Sequence, residues 1–341
     1  MRAARIHELG GPLLVEQVDD PAPRDGEVLV AVEACGVGLT VVHYTSAGLL
    51  GPHELPRIPG HEFAGTIVAV GAGVDRARVG QRVIAYFYLV CGLCRRCLAG
   101  EDQLCERFAG TVGSAVDGGY AELAVLPAHN ALPLPEGLDA VAATTIPDAI
   151  ATPVHVARRA AIRPGERVGV IGAGGGVGIH MLQVAREFGG EVLAIDLDAA
   201  KLDFIERELG IPGIASAAID RGALPAPWGG SLDVIVDFAG APDGLRSAFE
   251  LLAPGGRLVC MTGHTGAAVE AVSRELVFRQ LAVIGSRYAS RGEVAQAASL
   301  LAGGRLRAII GSEVGFDGLE QLHGRLRRGE LLGRGAFVPA G

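Results

Sequence analysis

Four of the six cysteines in the chain lie between positions 91 and 105, with a spacing suited to binding one metal ion. They are Cys91, Cys94, Cys97 and Cys105, and they form the pattern C-x2-C-x2-C-x7-C. This spacing brings four thiolates around a tetrahedral ion and leaves no position open for water or substrate. We therefore predict a structural zinc, with an iron–sulfur cluster or two disulfides as the alternatives.

A glycine-rich stretch follows a predicted strand that ends at Ile171 and leads directly into a predicted helix. It reads Gly172-Ala173-Gly174-Gly175-Gly176-Val177-Gly178. Glycines let the backbone approach a pyrophosphate closely, and the helix N-terminus offers free N–H groups to that anion. In the G-x-G-x-x-G register, Ala173 occupies the first glycine position. A tight strand–helix turn without a ligand is the alternative interpretation.

An acidic residue follows this stretch at the distance expected in a dinucleotide site. Asp196 ends the next predicted strand, where a carboxylate can accept hydrogen bonds from the adenosine ribose and repel a 2′-phosphate. NAD is therefore favoured over NADP. Lys201, the only lysine in the chain, is a second candidate for this site, with an ordinary solvated helix residue as the alternative.

The elements that must position these residues change in character along the chain. The first part alternates short apolar segments with turns, at 27–37, 63–74 and 81–90, which is typical of a β-rich, barrel-like domain. From about residue 151, buried strands alternate with helix-length segments. The predicted strands are 167–172, 191–196, 232–240, 256–263 and 281–286. This rhythm predicts an α/β domain with a doubly wound parallel sheet.

Composition narrows the class of protein. The chain has 341 residues, of which 49% are apolar and 20% charged, so we expect two packed domains. No segment has the roughly 18 apolar residues of a membrane helix, and the N-terminal stretch lacks the apolar core of a signal peptide. We therefore expect a cytoplasmic protein. A net charge of -8 argues against nucleic acid or an anionic membrane as partner and leaves a small molecule as the expected ligand.

Nearly the whole chain resembles the zinc-containing alcohol dehydrogenases of the medium-chain dehydrogenase/reductase superfamily. The resemblance rests on Gly60-His61-Glu62 with the segment after it, the cysteine pattern, residues 117–127, the glycine loop and Asp196. It implies a GroES-like catalytic domain at 1–150, completed by 287–341, and a Rossmann NAD-binding domain at 151–286. It also implies a homodimer or homotetramer and a reaction in the cleft between the domains. The glycine loop is more similar to the A-x-x-G-x-x-G form of the related quinone oxidoreductases.

The resemblance also implies a second, catalytic zinc, but the sequence departs from the family at this site. In the family, a cysteine, the histidine of the G-H-E motif and a third cysteine or acid hold the ion. His61 and Asp148 match the last two, whereas Gly38 stands in place of the cysteine and Val41 replaces a supporting aspartate. Cys35, three residues upstream, is predicted to be a buried, inert thiol. We predict that the catalytic zinc site is degenerate or the ion absent.

Other parts of the family's machinery are present. Thr40 and His43 match a relay that carries a proton from substrate to solvent, with a strand hydroxyl and a surface histidine as the alternatives. Phe87 matches an aromatic residue of the substrate pocket, and Glu62 is expected beside the metal position. Arg334 matches an arginine that contacts the cofactor pyrophosphate, with a solvated charge as the alternative.

Together these features predict an NAD(H)-dependent oxidoreductase of the alcohol dehydrogenase type. It would transfer hydride between nicotinamide and a small apolar alcohol or carbonyl compound, with a degenerate or absent catalytic zinc. One alternative is a metal-free reductase of an activated C=C or C=N bond, because hydrogen bonds alone can stabilise the charge that develops there. A non-catalytic dinucleotide sensor is the other.

Overall fold

A computed structural model describes residues 1–46, 55–216, 224, 228–240, 242–262 and 272–340. The chain forms two compact units: the first comprises 1–151, 289–304 and 308–341, and the second comprises 152–288 and 305–307. Within the described ranges, no helix has the length and apolar character needed to cross a membrane. Gly263, at the end of one predicted strand, lies outside the described residues.

Strands and short helices alternate along the whole chain. The strands are β1 (Arg2–Arg5), β2 (Leu14–Gln17), β3 (Glu27–Val37), β4 (Phe63–Val70), β5 (Arg82–Ala85), β6 (Leu123–Pro127), β7 (Ala131–Pro133), β8 (Arg167–Ile171), β9 (Glu191–Asp196), β10 (Gly213–Ala215), β11 (Leu232–Asp237), β12 (Leu252–Cys260), β13 (Ala282–Gly285), β14 (Ile310–Val314) and β15 (Arg334–Phe337). The helices are α1 (Leu39–Ser46), α2 (Arg95–Leu98), α3 (Ala140–Ala143), α4 (Ala151–Arg159), α5 (Gly178–Glu187), α6 (Ala199–Leu209), α7 (Pro242–Leu251), α8 (Ser273–Arg279), α9 (Arg291–Ala302) and α10 (Leu319–Arg327). A π-helical turn spans Ile146–Ile150.

The first unit is built on a mixed sheet with β3 near its centre. Among the described residues the strand order is β14-β15-β3-β4-β5-β7, and β6 also pairs with β3. Strand β15 runs antiparallel to β3, with Gly335 opposite Val37 and Phe337 opposite Cys35. The C-terminal part of the chain therefore completes this sheet, and the register brings Arg334 next to Gly38.

The second unit contains a parallel sheet with the order β10-β9-β8-β11-β12-β13 among its described strands. Counted within the unit, this is the 3-2-1-4-5-6 order of a Rossmann fold. All these strands run parallel, and the order in which they are added to the sheet reverses between β8 and β11. The predicted fold class, a β-rich domain with a doubly wound parallel-sheet domain, is confirmed. Strand β9 has the predicted bounds, whereas β12 begins four residues before the predicted strand at 256.

Gly178, the first residue of α5, has no room for a side chain. A Cβ atom on Gly178 would lie 2.2 Å from the carbonyl oxygen of Gly172, which is a backbone atom and cannot easily move. We expect Gly178→Ala to destabilise the second unit by about 1–3 kcal/mol, the usual cost of forcing extra volume into a packed site. Thermal unfolding followed by circular dichroism measures this change.

The matched control is Gly285→Ala at the end of β13. There the described residues leave no atom within 4 Å of an added Cβ, so its unfolding midpoint should stay at the wild-type value. Equal midpoints for the two variants would contradict the prediction.

Candidate functional site

The four clustered cysteines form a compact lobe in the first unit. The Cys94 sulfur lies 3.5 Å from that of Cys97 and 3.9 Å from that of Cys105, which in turn lies 3.6 Å from the Cys91 sulfur. A tetrahedral zinc with Zn–S bonds of about 2.3 Å places its sulfurs about 3.8 Å apart, so the lobe fits that ion. The two-disulfide alternative is wrong, because all four thiols are free and their sulfurs are well beyond the S–S bond length of about 2 Å.

Backbone N–H groups support the thiolate form of this lobe. The N–H of Cys94 donates to the Cys91 sulfur at 3.3 Å, and that of Arg107 donates to the Cys105 sulfur at 3.3 Å. Backbone hydrogen bonds, the strongest from Leu93, lower the pKa of Cys91 to about 6. The chain thus stabilises a charged sulfur at Cys91, whereas burial raises the pKa of Cys97 to about 12.

The glycine loop of the second unit is fastened to the end of β9. The N–H of Gly174 donates to Asp196 Oδ2 at 2.8 Å, and that of Asp198 donates to Asp196 Oδ1 at 3.1 Å. Gly172 has a φ of +75°, which favours glycine at this turn. The aliphatic part of Lys201 packs against Gly174 so closely that a Cβ there would lie 2.5 Å from it.

This loop has the form of an anion site. Ala173, Gly174 and Gly178 are buried, whereas Gly175, Gly176 and Val177 are partly open. The loop runs into the N-terminus of α5, whose N–H groups and dipole favour a pyrophosphate. The carboxylate of Asp196 stands at the edge of the loop, where a ribose hydroxyl would find an acceptor.

A second group of polar residues is buried in the first unit. His61 and Glu62 directly precede β4, and Asp148 lies on the π-helical turn. Within the described part of the chain, these three residues and the cysteine lobe are the groups whose ligand atoms lie within 4.8 Å of one another. His61 Nε2 is 3.8 Å from Asp148 Oδ2. The structure thus brings together the three predicted residues from separate segments.

Phe87 forms one wall of this group. Its ring centroid lies 4.4 Å from that of His61. The segment that carries it is fixed by Asn130, whose side-chain amide donates to the carbonyl oxygens of Tyr86 and Tyr88 at 2.5 and 2.8 Å. Sequence analysis did not single out Asn130.

Arg334 is the unexpected member of this buried group. Its residue is only 3% exposed, so the alternative of a solvated charge is wrong. Its Nε donates to Glu62 Oε2 at 3.0 Å, its Nη2 donates to the same oxygen, and Nη2 also reaches Asp148 Oδ2 at 3.5 Å. The predicted contact with the cofactor pyrophosphate stays a prediction.

Two glycines make room for this ion pair: Gly36 in β3, and Gly38 directly after that strand. A Cβ on Gly38 would lie 2.3 Å from Cζ and from Nη1 of Arg334. A Cβ on Gly36 would lie 2.7 Å from Glu62 Oε2. Sequence analysis missed this space, although glycines at alternate positions of an extended segment share one face and could have indicated it.

The three charges hold one another in place. Burial raises the pKa of Glu62, and the Arg334 guanidinium opposes that rise. Burial lowers the pKa of Arg334, but the carboxylates of Glu62 and Asp148 more than offset it and leave its pKa raised. The guanidinium is therefore a permanent positive charge inside this unit.

The predicted relay residues lie on α1, so the strand alternative for Thr40 is wrong. Thr40 is half-buried and His43 is exposed. They are three positions apart and therefore face the same side of the helix. Val41 and Val42 are buried. Cys35 is also buried, as predicted, and burial raises the pKa of its thiol.

Known proteins place these features in one family. Residues 24–136 match the alcohol dehydrogenase GroES-like domain, and residues 176–303 match the zinc-binding dehydrogenase domain. An alcohol dehydrogenase of Geobacillus stearothermophilus is 32% identical over 337 residues, which cover 98% of each chain.

Solved structures agree with this match. A cobalt- and zinc-bound thermostable alcohol dehydrogenase from Pyrobaculum aerophilum is 34% identical with a TM-score of 0.88, and an alcohol dehydrogenase from Escherichia coli CFT073 complexed with NADH is 27% identical with a TM-score of 0.89. Each alignment covers 99% of both chains. The chain belongs to the zinc-containing alcohol dehydrogenase family of the medium-chain dehydrogenases and reductases.

Proposed function

We propose that this protein transfers hydride between NAD(H) and a small apolar alcohol or carbonyl compound. The observation that carries the proposal is the glycine loop fastened to Asp196 by the 2.8 Å bond from Gly174. It supplies backbone donors for a pyrophosphate and an acceptor for the ribose, and it would repel a 2′-phosphate. The relative of known structure that carries NADH supports the same cofactor.

The chain's own part in the reaction is to move a proton. Bound NAD(H) supplies or accepts the hydride at its nicotinamide ring. When an alcohol is oxidised, its hydroxyl proton passes to the Thr40 side chain, which can accept one hydrogen bond while donating another. His43, exposed on the same side of α1, passes the proton to solvent, since histidine titrates near neutral pH.

The residues present do not fit the family's catalytic zinc. Position 38 offers no ligand, and its neighbour Arg334 places a permanent positive charge against Glu62 and Asp148, two of the possible ligands. A dication brought to His61 would meet this charge at short range. The proposed metal content is therefore one zinc per chain, held by the cysteine lobe.

A second candidate is a metal-free reductase of a conjugated C=C or C=N bond. The Gly38–Arg334 arrangement favours it, because such a reaction places negative charge on a remote atom that hydrogen-bond donors can stabilise without a Lewis acid. The two candidates share the cofactor and differ in the substrates that they turn over.

Turnover assays with matched Thr40 variants test the reaction. Oxidation of NADH by simple ketones and aldehydes is expected, and Thr40→Val should lower kcat about 10²- to 10⁴-fold because it removes the proton-transfer group while keeping its shape. Thr40→Ser keeps the hydroxyl and should keep most of the activity. Turnover of enones or imines alone would favour the second candidate, and NADH binding without any turnover would favour a sensor.

Cofactor preference tests the role of Asp196. Asp196→Ser should raise the KM for NADH about tenfold or more, because a charged hydrogen-bond acceptor contributes about 1.5–3 kcal/mol. It should also narrow the preference for NADH over NADPH. The control is Asp198→Asn, two residues along, which keeps a capping side chain for α6 and should leave both KM values near wild type. Unchanged preference in Asp196→Ser would count against NAD selection by this carboxylate.

Metal analysis tests the zinc content. Wild-type protein purified without chelator should contain one zinc per chain, and Cys97→Ser should lose it because three ligands remain where four are needed. Cys260→Ser, which changes a cysteine of the second unit, should keep one zinc. Two zincs in the wild type would contradict the absence of a catalytic ion.

A further inference from the structure

The loss of the cysteine ligand does not by itself explain how the buried acids of this site are stabilised. Glu62 is fully buried and Asp148 is 8% exposed. Carboxylates away from water need a partner of opposite charge, because desolvation is costly. The position of that partner decides what else the site can hold.

Arg334 supplies the partner from a neighbouring strand. Strand β15 pairs with β3 so that Gly335 faces Val37, and continuing this register sets Arg334 opposite Gly38. The guanidinium lies over the bare Cα of Gly38, with Cζ, Nη1 and Nη2 between 2.3 and 2.5 Å from where a Cβ would be. Any side chain at position 38 would need the volume that the guanidinium fills.

The guanidinium also takes up the acids that a metal would use. It donates from Nε and Nη2 to Glu62 Oε2, and from Nη2 to Asp148 Oδ2. Unlike a lysine, an arginine stays protonated even when buried and holds two acceptors with a planar fork. These contacts therefore fix a cation in the position where the ligands of the family's ion would converge.

We propose that Arg334 takes the place of the catalytic metal: it fills the ligand space above Gly38 and provides the positive charge that binds Glu62 and Asp148. In this view the arginine, and not only the missing thiolate, keeps a second zinc out. A cysteine restored at position 38 should therefore not be enough for a second zinc to bind. The second zinc should bind when this cysteine is restored and Arg334 is also removed. The inference rests on the proposed function in one respect, that wild-type protein holds zinc at the cysteine lobe only.

Zinc content of a small set of full-length variants, produced with zinc in the medium, tests this directly. Wild type and Gly38→Cys should each contain one zinc per chain. Gly38→Cys/Arg334→Ala should contain two, since a thiolate then joins His61 and Asp148 in an emptied space. Cobalt substitution gives a second readout, because a new cobalt–thiolate absorption band should appear only in the double variant.

Two matched controls test whether the second zinc requires the thiolate and the removal of Arg334 specifically. Gly38→Ser/Arg334→Ala fills the same space without a thiolate and should stay at one zinc. Gly38→Cys/Arg167→Ala removes instead an arginine that pairs with Asp233 in the second unit at 3.1 Å, and it should also stay at one. Circular dichroism and gel filtration identify folded variants, and Gly38→Cys/Arg334→Leu is the alternative if the alanine double variant does not fold.

The outcomes distinguish the two proposals. Two zincs in Gly38→Cys would overturn the inference, because Arg334 would then have moved aside. An arginine whose role is to bind the cofactor pyrophosphate would be expected to move in this way. The inference would also be overturned if Gly38→Cys/Arg334→Ala and Gly38→Cys/Arg334→Leu both fold and each contain only one zinc. Two zincs in wild type would refute the proposed metal content itself, whereas failure of the enzyme assays would leave the zinc counts unaffected.

Discussion

A buried cluster of opposite charges governs the local structure of the first unit. Glu62, Asp148 and Arg334 are all withdrawn from water, and each would be strongly destabilising if left without the others. The three residues come from separate parts of the chain, so the segments that carry them must meet accurately. The start of β4, the π-helical turn and the start of β15 all converge on this point.

The charge cluster occupies space that two glycines leave free. Gly36 and Gly38 have no side chains, and the Glu62 carboxylate and the Arg334 guanidinium fill the volume above them. A side chain at position 38 would clash with the guanidinium that pairs with both acids. Glycine at position 38 and the buried arginine are thus two parts of one physical arrangement, because the guanidinium fills the volume that a side chain at this position would occupy.

The features that the sequence predicted well are those with local signals. Strands β3 and β9, the cysteine lobe and the glycine loop depend on residues close together in the chain, where periodicity and spacing are informative. The Arg334–Glu62 pair joins residues 272 positions apart, and the short strand β15 that positions it has no distinctive pattern. Helix α1 also lacks a distinctive pattern in the sequence, because its residues continue the apolar run of the preceding strand.

The two possible metal sites differ in how their ligands are distributed along the sequence. The cysteine lobe takes all four ligands from one short segment, so its geometry depends little on the rest of the fold. The catalytic site that the family resemblance implies would draw on segments around positions 38, 61 and 148, where the two buried acids, Glu62 and Asp148, need a positive charge as partner. Under the proposed function, a guanidinium meets that need but cannot offer the open coordination position of a zinc, so activation of the substrate depends on hydrogen bonds and on the proton relay along α1.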